Sequence, residues 1–480
     1  MMTLNRIVCA SGAALVLGAC QSMPSPAPAP ALRTAVVPQQ KSYFPSDAEL
    51  RELLQVLVEQ GQSEGFVLGL LEPDGRRRVI AYGDAGAGAP PLSSRSVFET
   101  GSIVKTFTGA ILADMVRRGA VSLNDPVAKF LPAGVKVPSR NGRQITLLDL
   151  ATHTSGLPRN LDQDKVRDPS NPYADIPIED VYEFLSSHEL RRDIGAKWEY
   201  SNLGFGLLGH ALTRVAGVET VDELVRERIT GPLKMGTTQF GRGNGLEARM
   251  AKGHDQYGDV VPYWNFGAFK GAGGLNSTVE DMLTYLNANV GEPGSPIEAA
   301  MRDAHQPRHD LDIKGNAAAL GWDYRARPGR TIVYKSGSTA GFAGALGFDP
   351  DTGAGVVILG NGKGFESRVN VVIQLLKGGR PEFRKTSVPL SEIEPLLGLY
   401  EYEGGNRRFF TKDGKLFTRL SGGQDMEVFP AADDRFFYGP GTLSWFEVKR
   451  DAGGKHVMSM YPGGSGEADT SVRTGPVPAG

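Results

Sequence analysis

The chain has 480 residues, 40% of them hydrophobic and 22% charged, with a formal net charge of −2. This is the make-up of a folded globular protein of two or three units, and the charge balance supplies no basic excess for a nucleic-acid partner. The only cysteines, Cys9 and Cys20, lie near the N-terminus, which excludes thiol catalysis and thiolate metal sites from the body of the chain.

In chain order, Arg6 precedes an apolar stretch from Ile7 to Leu17 that is too short to span a bilayer. It reads as an export signal over residues 1–19. Gln21 to Ser42 is rich in proline and alanine (Pro24, Pro26, Pro28, Pro30, Pro38), so residues 20–42 are expected to form an extended tether. Ser46-Asp47-Ala48-Glu49 is a capping-box pattern, and Leu50, Leu53, Leu54 and Leu57 follow at helical spacing up to Gly61. Phe66 to Leu71 and Arg78 to Tyr82 are predicted strands joined around Asp74-Gly75. A helix followed by a hairpin opens an α+β fold.

A largely apolar helix is predicted from Gly101 to Arg118, stopped by Gly119. Val121 to Thr238 reads as mainly helical, including Leu203 to Val215. Strands return at Ile332 to Ser336, Gly344 to Phe348 and Gly355 to Leu359, and the helix Glu366 to Leu376 is expected to close a main domain spanning residues 43–380. From 390 to 475 the pattern becomes all-β: two runs in Arg408 to Leu420 flank Asp413-Gly414, and Phe436 to Tyr438, Trp445 to Val448 and His456 to Tyr461 follow.

Three short motifs carry chemistry: Ser102-Ile103-Val104-Lys105, Tyr200-Ser201-Asn202 and Lys335-Ser336-Gly337. Ser102 and Lys105 are three apart at a predicted helix start, so both lie on one face. Free backbone N–H groups at such a start suit an oxyanion. Lysine is a poor base at its ordinary pKa of about 10.4. Burial and a second cation, for which Lys335 is the candidate, would bring it down. Tyr200-Ser201-Asn202 has two readings from the residues alone, a catalytic element or a helix N-cap supplied by Ser201 or Asn202. Tyr-x-Asn recurs at Tyr263-Trp264-Asn265 and at Tyr285-Leu286-Asn287, the latter read as packing in an amphipathic helix.

Other matches are read as decoys. Gly61-Gln62-Ser63-Glu64-Gly65 fits the nucleophile-elbow pattern, but here a helix precedes the serine and a strand follows, the reverse of what the elbow needs. His153 is read as a hydrogen-bonded structural histidine rather than a base. His305 and His309 are separated by Pro307, which argues against a shared metal face. No metal or cofactor is expected.

The ordered motifs, with Ile145 to Leu157 (ITLLDLATHTSGL), Gly271 to Met282 (GAGGLNSTVEDM) and Lys335 to Phe342 (KSGSTAGF), resemble the serine penicillin-recognising enzymes related to class C β-lactamases. Val121 to Asn160 looks most like the periplasmic D-alanyl-D-alanine carboxypeptidase/endopeptidases of that branch. The resemblance covers residues 45 to 380. It implies a β-lactamase/transpeptidase-like fold, an antiparallel sheet flanked by helices with a helical subdomain. It also favours the catalytic reading of Tyr200. On that basis Ser102 attacks an acyl carbonyl, and Lys105 and Tyr200 handle its proton. Asn202, Lys335, Ser336, Gly337 and Ser338 bind substrate, with the Ser102 and Ser338 N–H groups as the oxyanion hole. No Glu-x-x-Leu-Asn is present, so a class A deacylation route is not expected. Retention of Lys335, often missing in the esterase branch, points to carboxylate-bearing substrates, and Ala340 replaces a glycine frequent in the family.

The expected function is thus a D-Ala-D-Ala carboxypeptidase/endopeptidase acting on peptidoglycan peptides and acylated by β-lactams. The alternatives are a class C-like β-lactamase, a carboxylesterase and a non-catalytic muropeptide-binding envelope protein. The C-terminal unit resembles lipocalin-like barrel appendages of some members, a placement that could restrict access to the site. Leu17-Gly18-Ala19-Cys20 is similar to a lipobox, implying lipidation of Cys20 and a membrane anchor. The expected location is the cell envelope, facing the periplasm, at the outer rather than the inner membrane.

Overall fold

The computed structural model describes residues 42–379, 387–402, 404–431, 435–438, 444–461 and 468–477. The predicted signal (1–19), Cys20 and the tether up to residue 41 lie outside them. The fold takes hold at Ser42, the last tether residue. Its hydroxyl donates to the buried Glu72 carboxylate at 2.6 Å, and the Tyr43 N–H donates to the same group at 2.9 Å.

Helix α1 (Asp47–Glu59) carries the expected capping box, with Ser46 and Glu49 satisfying each other's backbone N–H groups. Its leucine stripe Leu50, Leu53, Leu54 and Leu57 is buried. Each such side chain contributes about 1.5–3 kcal/mol by leaving water. The main sheet is antiparallel throughout, with strands β1 (Gly65–Leu71), β2 (Arg77–Gly83), β3 (His309–Asp310), β4 (Asn316–Ala318), β5 (Asp323–Arg327), β6 (Arg330–Ser338), β7 (Ala343–Phe348) and β8 (Gly355–Gly360) in spatial order β2-β1-β8-β7-β6-β5-β4-β3.

Alternation along the central strands sorts two cores. Phe66, Leu68, Leu70, Val356 and Ile358 face α1 and the final helix of this region, while Val67, Leu71, Val357 and Leu359 face the opposite side. Burial on both faces is why β1, β7 and β8 read as nearly unbroken apolar runs. On the second side lie helices α2 (Val104–Arg117), α3 (Asn202–Ala216), α4 (Val279–Val290) and α5 (Pro296–Ala304); α6 (Phe365–Leu376) packs with α1 on the first. Every residue of α2 from Val104 to Met115 is buried, the polar Lys105, Thr106, Thr108 and Asp114 included. Tyr285 of the third Tyr-x-Asn lies in α4 and stacks between Phe107 and Trp322, so its motif is packing.

Val121 to Thr238 is less regular than the expected helical run. Its helices are short apart from α3 and Ile178–Ser187, and a small hairpin pairs Ser139–Arg140 with Arg143–Gln144.

The C-terminal region is a closed eight-stranded barrel: Gly398–Tyr402, Gly405–Lys412, Lys415–Leu420, Met426–Pro430, Arg435–Phe437, Trp445–Arg450, His456–Tyr461 and Asp469–Gly475. Asp413 and Gly414 both have positive φ, 51° and 74°, the two-residue hairpin geometry that Asp-Gly favours. Ala431 and Phe437 of the barrel join the core around α1 and α6. Among the described residues the barrel's apolar contacts with the sheet region thus lie on the side away from α2.

Candidate active site

Ser102 sits on a 3-10 turn (Gly101–Ile103) leading directly into α2, so its own N–H belongs to the opening turn that lacks intrahelical acceptors. The turn is pressed against the end of β6, and only glycine fits the contact. A Cβ on Gly337 would meet Thr100 O at 2.1 Å and Ser102 N at 2.6 Å; one on Gly101, whose φ is +51°, would meet Ser338 N at 2.6 Å. The two N–H groups expected as oxyanion donors are therefore brought side by side through their glycine neighbours. Ser338 is exposed and pairs with Ala343 across the sheet; Ser336 is half-buried.

One turn into α2, the Lys105 ammonium position is fully enclosed. Its Nζ lies 2.9 Å from Asn202 Oδ1, 2.8 Å from Ala272 O and 3.1 Å from Ser102 Oγ. Burial first, then the cations of Lys335 and Arg159, hold its pKa well below the ordinary lysine value. A neutral amine has two N–H groups and one lone pair. In that form the two carbonyl oxygens would take the N–H groups and leave the lone pair for the Ser102 hydroxyl. The Tyr200 phenol donates to Ser102 Oγ at 2.5 Å. Burial pushes the Tyr200 pKa up, and the Lys335 cation and the bond to Ser102 only partly offset it, so at neutral pH Tyr200 is a proton donor rather than a phenolate.

The two readings of Tyr200-Ser201-Asn202 are compatible. Ser201 is the N-cap of α3, accepting from Gly204 N–H at 2.9 Å, and the cap aims its neighbours inward. Asn202 is committed within the protein: Oδ1 takes Lys105, and Nδ2 donates to Asn160 Oδ1 at 3.1 Å and to Tyr173 Oη at 3.0 Å. His153 supports this segment. With φ at +61°, it accepts the Ser201 N–H on Nδ1 at 3.0 Å, and its carbonyl accepts the Glu199 N–H. Its ring lies 4.5 Å from that of Tyr200. Burial and the basic side chains Lys335, Lys105 and Arg159 around it hold its pKa well below the ordinary histidine value, and its place is structural.

Lys335 is 3% exposed and donates to Asp323 Oδ2 at 3.1 Å. Burial works against its charge, but Asp323 and Tyr200 outweigh it and leave its pKa above the ordinary value. Asp323, Arg159, Asn160 and Tyr173 are residues that the motifs did not reveal. Arg159 and Asn160 come just after the Ile145–Leu157 segment, with Pro158 between, so proximity in sequence was an available signal. Asp323 had none, because β5 was not predicted.

The decoys take structural places. Ser63 is buried and donates to Gly65 O at 2.9 Å and Asn361 Oδ1 at 3.3 Å. His305 follows the end of α5 against Phe348 with its pKa lowered by burial to about 4, while His309 lies in β3.

The profile of the Beta-lactamase family matches residues 50–377. The chain belongs to that family. It is 31% identical over 339 residues to the D-alanyl-D-alanine-carboxypeptidase/endopeptidase AmpH of Escherichia coli K12, covering 65% of this chain and 86% of that protein. It is 27% identical over 340 residues to a beta-lactamase of the same organism, covering 64% and 86%. The solved class C beta lactamase of Rhodobacter sphaeroides superposes with a TM-score of 0.58 at 26% identity, over 66% of this chain and 95% of that one. The protein is accordingly an acyl-serine hydrolase of the beta-lactamase and D-Ala-D-Ala peptidase family with a β-lactamase/transpeptidase-like fold. The matched region ends before the barrel.

Proposed function

We propose that this family member is a cell-envelope D-Ala-D-Ala carboxypeptidase/endopeptidase acting on peptidoglycan peptides, with Ser102 as nucleophile. The observation that carries the reading is the double contact on Ser102 Oγ, a lysine amine at 3.1 Å and a tyrosine hydroxyl at 2.5 Å. In the proposed cycle the Ser102 proton passes to Lys105 Nζ while Oγ bonds to the scissile carbonyl carbon. The N–H groups of Ser102 and Ser338 take the developing oxyanion. When the C–N bond breaks, the leaving amine receives a proton through Tyr200, which is resupplied from Lys105. Water then attacks the acyl-enzyme, gives its proton back through the same pair, and frees the acid. Lys335, Ser336 and Gly337 bind the substrate's far side, and Asn202 acts first by orienting Lys105. The similarity to AmpH supports the peptidase reading, and the cysteine of the Leu17-Gly18-Ala19-Cys20 segment supports a lipid-anchored, periplasm-facing location at the outer membrane.

Incubating the protein with excess benzylpenicillin and following intact mass tests this reading. A lasting single adduct, absent in Ser102→Ala, is expected of a slow-deacylating peptidase. Rapid drug hydrolysis without a lasting adduct would make the protein a β-lactamase. Neither adduct nor turnover would overturn the peptidase reading and leave an esterase or a muropeptide-binding protein.

A further inference from the structure

Three basic side chains surround the Tyr200 ring: Lys105 Nζ at 4.8 Å, the Arg159 guanidinium at 5.1 Å and Lys335 Nζ at 5.4 Å from its centroid. Their electrostatic situations differ. Lys105 is enclosed and driven toward its neutral form. Lys335 keeps its proton but spends its charge on the half-buried Asp323, leaving a locally neutral pair. Arg159 is exposed, and among the described residues it makes no ion pair. A guanidinium cannot be discharged at any working pH. The net positive charge that an arriving substrate meets at this tyrosine is therefore that of Arg159, and the role expected of Lys335 toward a carboxylate falls largely to it.

Arg159 is also pre-positioned. Its carbonyl accepts the N–H groups of Asn202 at 2.8 Å and Leu203 at 3.1 Å, and the preceding Pro158 carbonyl accepts the Ser201 hydroxyl at 2.7 Å. The backbone is thus tied to the first turn of α3, and the guanidinium is stacked on Tyr200, which reduces the ordering cost of using it. Its field reaches the chemistry, since it helps to lower the pKa values of Lys105 and His153 and acts on Tyr200. Leaving such a cation unpaired beside two buried lysines is electrostatically unfavourable in the free protein. A bound anion would relieve it.

We infer that Arg159 is a specificity residue that binds a carboxylate of the substrate, so that preferred substrates carry an anionic group within reach of Tyr200. This rests on the acyl-serine reading above. The carboxylate can belong to the acyl-donor side or to the leaving side of the scissile bond, and two substrate pairs separate these sources. Benzylpenicillin and carbenicillin differ by a carboxylate on the acyl side. An acyl-D-Ala-D-Ala peptide and its C-terminal carboxamide differ on the leaving side.

The measurement is kcat/KM, or the second-order acylation rate for the penicillins, for the wild type, Arg159→Ala and Arg159→Lys. In one pair the wild type is expected to favour the member with the carboxylate, and Arg159→Ala to reduce that preference on the order of 10-fold. Arg159→Lys is expected to restore part of it, and added salt to weaken it. The pair that responds identifies the side. An equal slowing of all four substrates would show that Arg159 merely props Tyr200 or tunes Lys105, and would overturn the inference, as would no change in any. If the wild type acylates with neither penicillin and cleaves neither peptide, the acyl-serine reading itself fails, a different result from an unchanged ratio.

Discussion

Lys105 and Lys335 share one tyrosine ring and are buried almost equally, at 0% and 3% exposure, yet burial has opposite outcomes for them. In α2 the lysine faces two neutral carbonyl oxygens and two other cations, so desolvation wins and its pKa falls. In β6 the lysine faces a carboxylate, and attraction overcomes the same desolvation. The partner, not the depth, decides whether a buried lysine becomes a base or stays an electrostatic fixture. The two roles are also linked, because the charge of Lys335 helps burial to hold the Lys105 pKa down.

The largest effect expected from this contrast is at Lys105. Lys105→Ala removes the proton acceptor and should lower the second-order acylation rate by roughly 10⁴-fold, with the folded state checked by circular dichroism. Lys105→Arg should be no better, since a guanidinium stays protonated. Substantial activity in either variant would mean that Tyr200 activates Ser102 alone, contrary to the raised pKa of that phenol.

This contrast was only half legible in the sequence. The Ser102–Lys105 pair follows from helical spacing at one predicted helix start, and the glycine at 337 marks where β6 meets that start. The fate of each lysine depended on partners brought in by long-range packing. Ala272 contributes a backbone carbonyl that no side-chain motif can announce. Asp323 comes from β5, a strand whose residues are all half-buried, so it lacks the apolar run that exposed β1, β7 and β8. The same reasoning explains the barrel. Runs around Asp413-Gly414 carried a turn signal and were found, whereas Gly398–Tyr402, Met426–Pro430 and Asp469–Gly475 have weak alternation, and the barrel closes through the long-range pairing of Gly398–Tyr402 with Asp469–Gly475. The Ser201 cap shows the opposite error, in which two local readings treated as rivals are one device.

A second, smaller effect is expected at Lys335. Lys335→Ala should cost roughly 10²-fold in acylation through lost electrostatic support, and it should also change the pH profile. Activity requires neutral Lys105 and so rises with pH through the Lys105 pKa. Without the Lys335 cation that pKa rises, and the acid limb moves to higher pH. An acid limb that stays in place would show that burial alone sets Lys105, and the link between the two lysines would be broken.

Asp323→Asn gives the smallest change in rate, a few-fold at neutral pH, and the sharpest test of the contrast. Asp323 raises the pKa of Lys335 and, more weakly, that of Lys105. On the acid side Lys335 remains protonated in the variant, so Lys105 loses an anion and keeps its cation; its pKa falls, and the acid limb moves to lower pH. On the alkaline side Lys335 faces desolvation without its partner, and it releases its proton earlier, so the alkaline limb also moves to lower pH. Both limbs should therefore shift the same way, to lower pH, in a profile of kcat/KM against pH. A shift of the acid limb upward, as in Lys335→Ala, would mean that Lys335 has already lost its proton and that the carboxylate is what keeps the second lysine charged even in acid.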